Sequence, residues 1–342
     1  MNSTPLALAL PQRHDGWFTL ARHRETSLAL VLVLTIVVTA WVNPRFVSAQ
    51  NLRDMALNVS IIALLTTGLT TVMLMRHIDL SISSVVGLSA FLVGDLFTHV
   101  PDTSMPVAIG AGLLIGLLAG AVNGWLVTWG QVPSLVATLS TLYVFRGLDY
   151  AWVQGRQINA TALPGEMTLL GSGDFLGMPI MAWIAGLLLL GMSYYLQNFK
   201  SGREFYAIGS NPEGARLVGI PVMRREFIGF LICGTTAGLA GVLWLARFGT
   251  VNAASAQGIE LQVVAAAVVG SVSIAGGSGS VLGATLGALL LSVIASALVI
   301  LRVSSFWQLA IQGGLILWAI AMDAMLSRAM LARATKKRVH HA

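Results

Sequence analysis

Charge is what this 342-residue chain most lacks: Asp, Glu, Lys and Arg make up 10% of it, while 56% is hydrophobic. An ordinary soluble domain carries about 25% charged residues. The deficit excludes a soluble enzyme and a disordered chain, because neither tolerates such an excess of apolar side chains. Cysteine is nearly absent. The lone Cys233 lies inside an apolar run, excludes an intramolecular disulfide and reads as a packing residue. Lysine occurs only at 200, 336 and 337 and never follows glycine, which excludes a phosphate-binding P-loop. The six histidines, at 14, 23, 77, 99, 340 and 341, fall outside the expected crossings, the pair His340-His341 has no carboxylate or cysteine company, and none is placed to activate a serine. No catalytic and no metal site is expected. The net charge of +6 lacks the basic runs interleaved with aromatics that nucleic-acid binding uses.

What the chain does have is long uncharged runs: Met55–Met75, Thr103–Phe145, Phe175–Phe199, Phe227–Ala246, Leu261–Leu301 and Val303–Met322. Each is long enough for one or two bilayer crossings at ~20 residues per helix. The two longest break at Gly130-Gln131-Val132-Pro133 and at Gly276-Gly277-Ser278-Gly279, where glycine frees the backbone and proline removes a donor. The fold class expected is an all-α polytopic membrane protein of about ten transmembrane helices, at 28–42, 55–75, 80–97, 105–129, 133–148, 175–199, 227–246, 261–275, 280–301 and 303–323. Three regions follow: an N-terminal cytoplasmic segment 1–27, a transmembrane body 28–325 and a basic cytoplasmic tail 326–342. With both termini inside, 14 of the 20 Lys and Arg residues fall on the cytoplasmic side, as the positive-inside rule requires. Gly112, Gly116, Gly120 and Gly124 recur every four residues, the small-xxx-small spacing that lets membrane helices approach closely.

The largest loop between membrane helices, residues 200–226, reads KSGREFYAIGSNPEGARLVGIPVMRRE. Ser210-Asn211-Pro212-Glu213 is a helix start: Ser or Asn caps, Pro suits the first turn, and Glu213 stands three residues after Ser210 as in a capping box. Gly219 and Pro221 stop it after about two turns. So short a polar helix needs a surface to hold it. On the residues alone, that surface is either its own protein or a soluble partner.

The same stretch resembles the cytoplasmic loop of membrane permeases of ATP-binding cassette importers for monosaccharides, the ribose, rhamnose and autoinducer-2 group. Gly202, Arg203, Ala207, Gly209, Asn211, Pro212, Ala215, Arg216, Gly219 and Ile220 match the family pattern, and Gly214 departs from its usual Ala. Other landmarks resemble the family in order: Ile78-Asp79-Leu80-Ser81, with Ser83 where the family has Gly; Asn123-Gly124 with Pro133, Thr138-Leu139 and Arg146-Gly147; and Gly276-Gly277-Ser278-Gly279-Ser280-Val281 with Gly283 and Gly287. The likeness covers about residues 26–325. Within the group it runs closest to rhamnose permeases, through Trp244-Leu245-Ala246-Arg247, residues 272–277 and residues 306–310, with autoinducer-2 permeases next and ribose after.

The resemblance implies a transport subunit, not an enzyme. Its loop, with Glu213 in the capping position, docks in a cleft of a partner ATPase, which binds the ATP and Mg. It also implies an external sugar-binding protein, meeting segments 149–174 and 247–260, a second permease copy or paralogue, and a bacterial inner-membrane location. Bulky charged residues at Gly214-Ala215 are expected to uncouple hydrolysis from uptake. A sugar path needs hydrogen-bonding amides and aromatics without tight retention. Asn58, Asn123, Trp125, Trp129, Gln131, Gln262 and Gln312 fit that description, each with interhelical glue or an interfacial aromatic belt as its structural alternative. Asp79 is expected at the cytoplasmic mouth, in an ion pair with Arg76 or as a gate. The rival functional reading is a secondary ion-coupled sugar transporter, against which stands the scarcity of buried ionisable groups beyond Asp79 and Asp95. A membrane receptor without transport is a third.

Overall fold

The structure, a computed structural model, describes residues 15–304 and isolated residues between 306 and 321. Residues 1–14, Gln312, most of the expected crossing 303–323 and the tail 326–342 lie outside the described residues. Twelve α-helices are described in chain order: α1 Asp15–Val42, α2 Ala49–Met73, α3 Ile82–His99, α4 Met105–Thr128, α5 Ser134–Val153, α6 Gly165–Ser172, α7 Ile180–Asn198, α8 Lys200–Ser210, α9 Pro212–Leu217, α10 Val222–Phe248, α11 Ile259–Val269 and α12 Val281–Ile300. A two-stranded hairpin, β1 Asp174–Phe175 and β2 Met178–Pro179, precedes α7. It turns on Leu176 and Gly177, both at positive φ as a two-residue turn requires.

Six of these helices, α2, α3, α4, α7, α10 and α12, are long and apolar enough to cross a membrane. The apolar stretch Leu28–Val42 of α1 and the helix α11 are shorter. The chain is therefore an all-α, multi-pass membrane protein. Three expected boundaries need correction. The segment 261–275 is helical only to Val269, because Gly270 ends the helix and Ser271 takes a positive φ. The segment 133–148 runs on to Val153, carrying Asp149 into the bundle rather than into a loop. The segment 175–199 begins as the hairpin and becomes helical at Ile180.

The middle of the bundle is α2, whose residues are buried without interruption from Ser60 to Met73. A helix sealed on every side cannot leave hydroxyls unpaired. Thr66, Thr67 and Thr70 donate back to the carbonyls four residues earlier, and Thr71 donates to Gly68 and, at 3.1 Å, to the Gly229 carbonyl of α10. Against the bundle, α4 and α10 meet through glycine on both sides. A Cβ at Gly116 would overlap the Gly234 carbonyl, one at Gly238 the Gly112 carbonyl, and one at Gly120 the Phe230 carbonyl. The four-residue glycine spacing is thus a packing seam, with Gly234 and Gly238 as its other half. Away from it, Leu114, Leu118 and Val122 on α4 and Leu187 and Leu190 on α7 stand outward, as lipid solvation allows.

Candidate functional site

The loop 200–226 folds as two helices. The unexpected one, α8, is amphipathic: Phe205 and Ile208 are buried with Leu74, Leu196 and Val222, and Glu204 is held by Arg225 of α10. Burial pushes the Tyr206 hydroxyl up to about 12, so it stays a neutral donor to the Gly279 carbonyl at 3.2 Å. The short helix α9 starts where a cap was expected, and the cap is Asn211. Its Oδ1 accepts from the Gly214 N–H at 3.0 Å with Pro212 in the first turn. Ser210 ends α8 instead of capping, so the Ser210–Glu213 box does not form. A Cβ at Gly214 would sit 2.8 Å from the Asn211 amide nitrogen. Glycine there leaves room for the cap.

Within α9, Ala215 is buried, whereas Leu217 and the following Val218 are 89% and 76% exposed. Arg216 sits beside a concave surface of about 480 Å³ that it shares with Trp129, Pro221, Val222, Met223 and Arg224. Gly219, at φ 81°, turns the chain back toward α10. Gly202 packs on the Tyr195 carbonyl, and Arg203 donates to the Asn198 carbonyl at 2.8 Å, tying α8 to the end of α7.

The α8–α9 junction is bolted to the bundle through backbone. Arg76 donates to the Gly209 carbonyl at 2.6 Å and the Ser210 carbonyl at 3.0 Å, and the Gly277 N–H donates to the Leu74 carbonyl at 2.9 Å. A Cβ at Gly209 would collide with that same Leu74 carbonyl. Gly276 and Gly277, both at positive φ, let the 273–279 turn wedge between the end of α2 and the end of α8. The glycine-rich turn is a close-packed helix break, as its sequence reads.

A few residues on, the α2–α3 connection carries Asp79 into the interior, where it is 1% exposed. Its Oδ1 accepts from the Ser81 N–H at 2.9 Å and the Ser81 hydroxyl at 2.7 Å, and the Asn123 amide of α4 reaches both at 3.4 Å and 2.7 Å. Thr141 of α5 closes the set by donating to Asn123 Oδ1 at 2.6 Å. Thr138 of α5 donates to the Ile78 carbonyl and accepts from the Leu80 N–H, both at 3.1 Å. The expected Asp79–Arg76 ion pair is absent among the described residues, because Arg76 points to α8 and Asp79 points inward. Of the expected path residues, the structure joins only Asp79 and Asn123. Trp125 and Trp129 are exposed on the outer side of α4, Gln131 and Asn58 are exposed, and Gln262 is half-buried on α11.

At the opposite end, Asp95 of α3 accepts from Arg156 at 2.8 Å and from the Trp152 indole at 3.0 Å. Arg146 of α5 reaches across to the connection between α10 and α11, donating to the Ala253 and Ser255 carbonyls at 2.8 and 2.9 Å and to the Ser83 carbonyl at 3.2 Å. Asp149 lies 3.6 Å from Arg146. Buried ionisable groups are therefore more numerous than Asp79 and Asp95: Arg146, Asp149 and Glu204 join them. Sequence reading missed these three because burial of each depends on how distant segments pack around it.

An all-α, multi-pass membrane body carrying a small capped helix is the class of protein the fold defines. The family model that matches residues 51–320 is described as branched-chain amino acid transport system, permease component, and the chain belongs to that family. Similar proteins include the autoinducer 2 import system permease protein LsrC of Escherichia coli (strain K12 / DH10B), 37% identical over 308 residues, 90% of this chain and 89% of the relative. The protein of that name from Shigella flexneri is likewise 37% identical with the same coverage, and that of Salmonella paratyphi B is 36% identical over 90% and 88%. No solved structure matches. The expected permease resemblance holds; the ranking of rhamnose first finds no support, since these relatives are named for autoinducer 2.

Proposed function

We propose that this chain is the membrane permease of a bacterial inner-membrane ATP-binding cassette importer that translocates autoinducer-2 or a closely related small polyhydroxylated solute. An external binding protein delivers the solute, and ATP with Mg is hydrolysed by a cytoplasmic partner. Both termini and the 200–226 loop face the cytoplasm, and a second permease copy or a paralogue completes the pathway. The observation that carries this reading is α9. Two large apolar side chains, Leu217 and the following Val218, stand exposed at the end of a capped helix whose base is locked to the bundle. Such a knob is costly in water unless a partner covers it. Gly202, Arg203, Ala207, Gly209, Asn211, Pro212, Glu213, Ala215, Arg216, Gly219 and Ile220 build the helix pair that presents it. Because Ala215 faces inward, charge at 214–215 tests folding as much as docking, and the sharper change is Leu217→Glu.

Reconstitution in proteoliposomes with the ATPase and binding protein tests the reading. ATP-dependent autoinducer-2 uptake that persists when ionophores collapse ion gradients is expected. Uptake driven by an ion gradient without the ATPase would overturn it. Leu217→Glu is expected to abolish ATPase co-purification while the bundle stays folded.

A further inference from the structure

Asp149 is 0% exposed, and neither of its carboxylate oxygens has a hydrogen-bond partner among the described residues; its nearest cation is Arg146 at 3.6 Å, beyond hydrogen-bonding distance. Glu260 at the start of α11 likewise has a buried, unpartnered Oε2, and its charge acts on Arg146. Unpaired buried carboxylate oxygens cost more than almost any other polar defect, so a fold that keeps them keeps them for a donor that arrives later. In the closed arrangement Arg146 and Asp149 pack tightly against Gly87 of α3, so a donor enters only once their cover moves. A Cβ at Gly87 would come 2.6 Å from Arg146 Nη1, 2.9 Å from the Ser255 carbonyl oxygen and 3.3 Å from Asp149 Oδ2.

The cover over these groups is the 249–258 connection. It reads GTVNAASAQG and begins and ends on Gly249 and Gly258, both at positive φ. Arg146, the reciprocal Ile158–Val251 backbone pair at 2.9 and 3.1 Å, and the buried side chains of Val251, Ala253 and Ala256 hold it down. Two carboxylates beside one guanidinium disfavour an anion. They do suit neighbouring hydroxyls, which donate to the carboxylates and accept from the arginine.

We propose that Asp149, Arg146 and Glu260 form the outer contact site for a small polyol, uncovered when the 249–258 connection lifts. The inference rests on the reading of this chain as a polyol permease. Hydroxyls take up the two orphaned carboxylates, and Arg146 exchanges its loop carbonyls for the solute's oxygens, so solute entry and loop release are one event.

The complete importer in proteoliposomes tests this with radiolabelled autoinducer-2, ribose and rhamnose. For whichever is transported, uptake is compared with that of its monodeoxy analogues in wild type, Asp149→Asn and Glu260→Gln. Expected is at least a tenfold selection by wild type against one analogue, matching the loss of a hydrogen bond to a charged group, and collapse of that selection in Asp149→Asn. Glu260→Gln is expected to relax selection at a second hydroxyl. The binding protein is common to all variants, so a change in selection belongs to the permease. Unchanged selection, or an equal drop on every analogue, overturns the proposal and leaves the importer reading standing. Should Asp149→Asn fail to assemble, Glu260→Gln at its half-buried position decides by the same criterion. ATP-dependent uptake of none of the three solutes by wild type overturns the polyol reading itself.

Discussion

Asp79 shows how a single side chain changes meaning between sequence and structure. Next to Arg76 in the chain, it reads as half of an ion pair. In the fold the two diverge, and Asp79 becomes the acceptor for Ser81 and Asn123. Asp79→Ala strands the Asn123 and Ser81 donors in the interior and is expected to cost about 2 kcal/mol, read as a lowered midpoint in a detergent thermal melt. Asn211 is the opposite case, since its role follows from local sequence and holds. Removing the cap with Asn211→Ala costs about 1 kcal/mol of local helix stability. The expected readout is a lower ratio of solute transported to ATP hydrolysed, with Asn211→Asp restoring it.

The seam between α4 and α10 was half legible. Glycine every fourth residue announces a close approach, but it cannot say to which helix. The structure supplies α10, whose Gly234 and Gly238 interlock with Gly116 and Gly112. Gly116→Ala drives a methyl into the Gly234 carbonyl and is expected to destabilise by about 1–3 kcal/mol. Gly110→Ala on the same helix, with open space around it, is the control and should leave the melt unchanged. The helix α8 was illegible as an element because half its residues are polar. Its apolar side chains, Phe205 and Ile208, become a face only once α2, α7 and α10 are present to receive them. Likewise α11 was read too long, because an apolar run does not reveal where backbone turns.

For the whole molecule, the α2–α3 connection is bonded at both ends of a mechanical chain. Arg76 and Leu74 grip the α8–α9 junction and the 273–279 turn, and Ile78 to Ser81 grip α4 and α5. Motion of α9 therefore has a hydrogen-bonded route into the bundle. Arg76→Ala is expected to keep ATPase binding and hydrolysis but to lower uptake at least tenfold, measured on the same proteoliposomes; unchanged uptake would place the route elsewhere. Composition by itself determined that the chain lives in a bilayer, since so few charges and so many apolar residues have no other stable solvent, and local motif determined the α9 start, since capping needs only neighbouring residues. Tertiary structure alone decided the partners of the buried charges. Arg146 finds the Ala253 and Ser255 carbonyls more than a hundred residues away. Pairing across such distances is set by how helices pack, and packing is a property of the assembled body that no local stretch encodes.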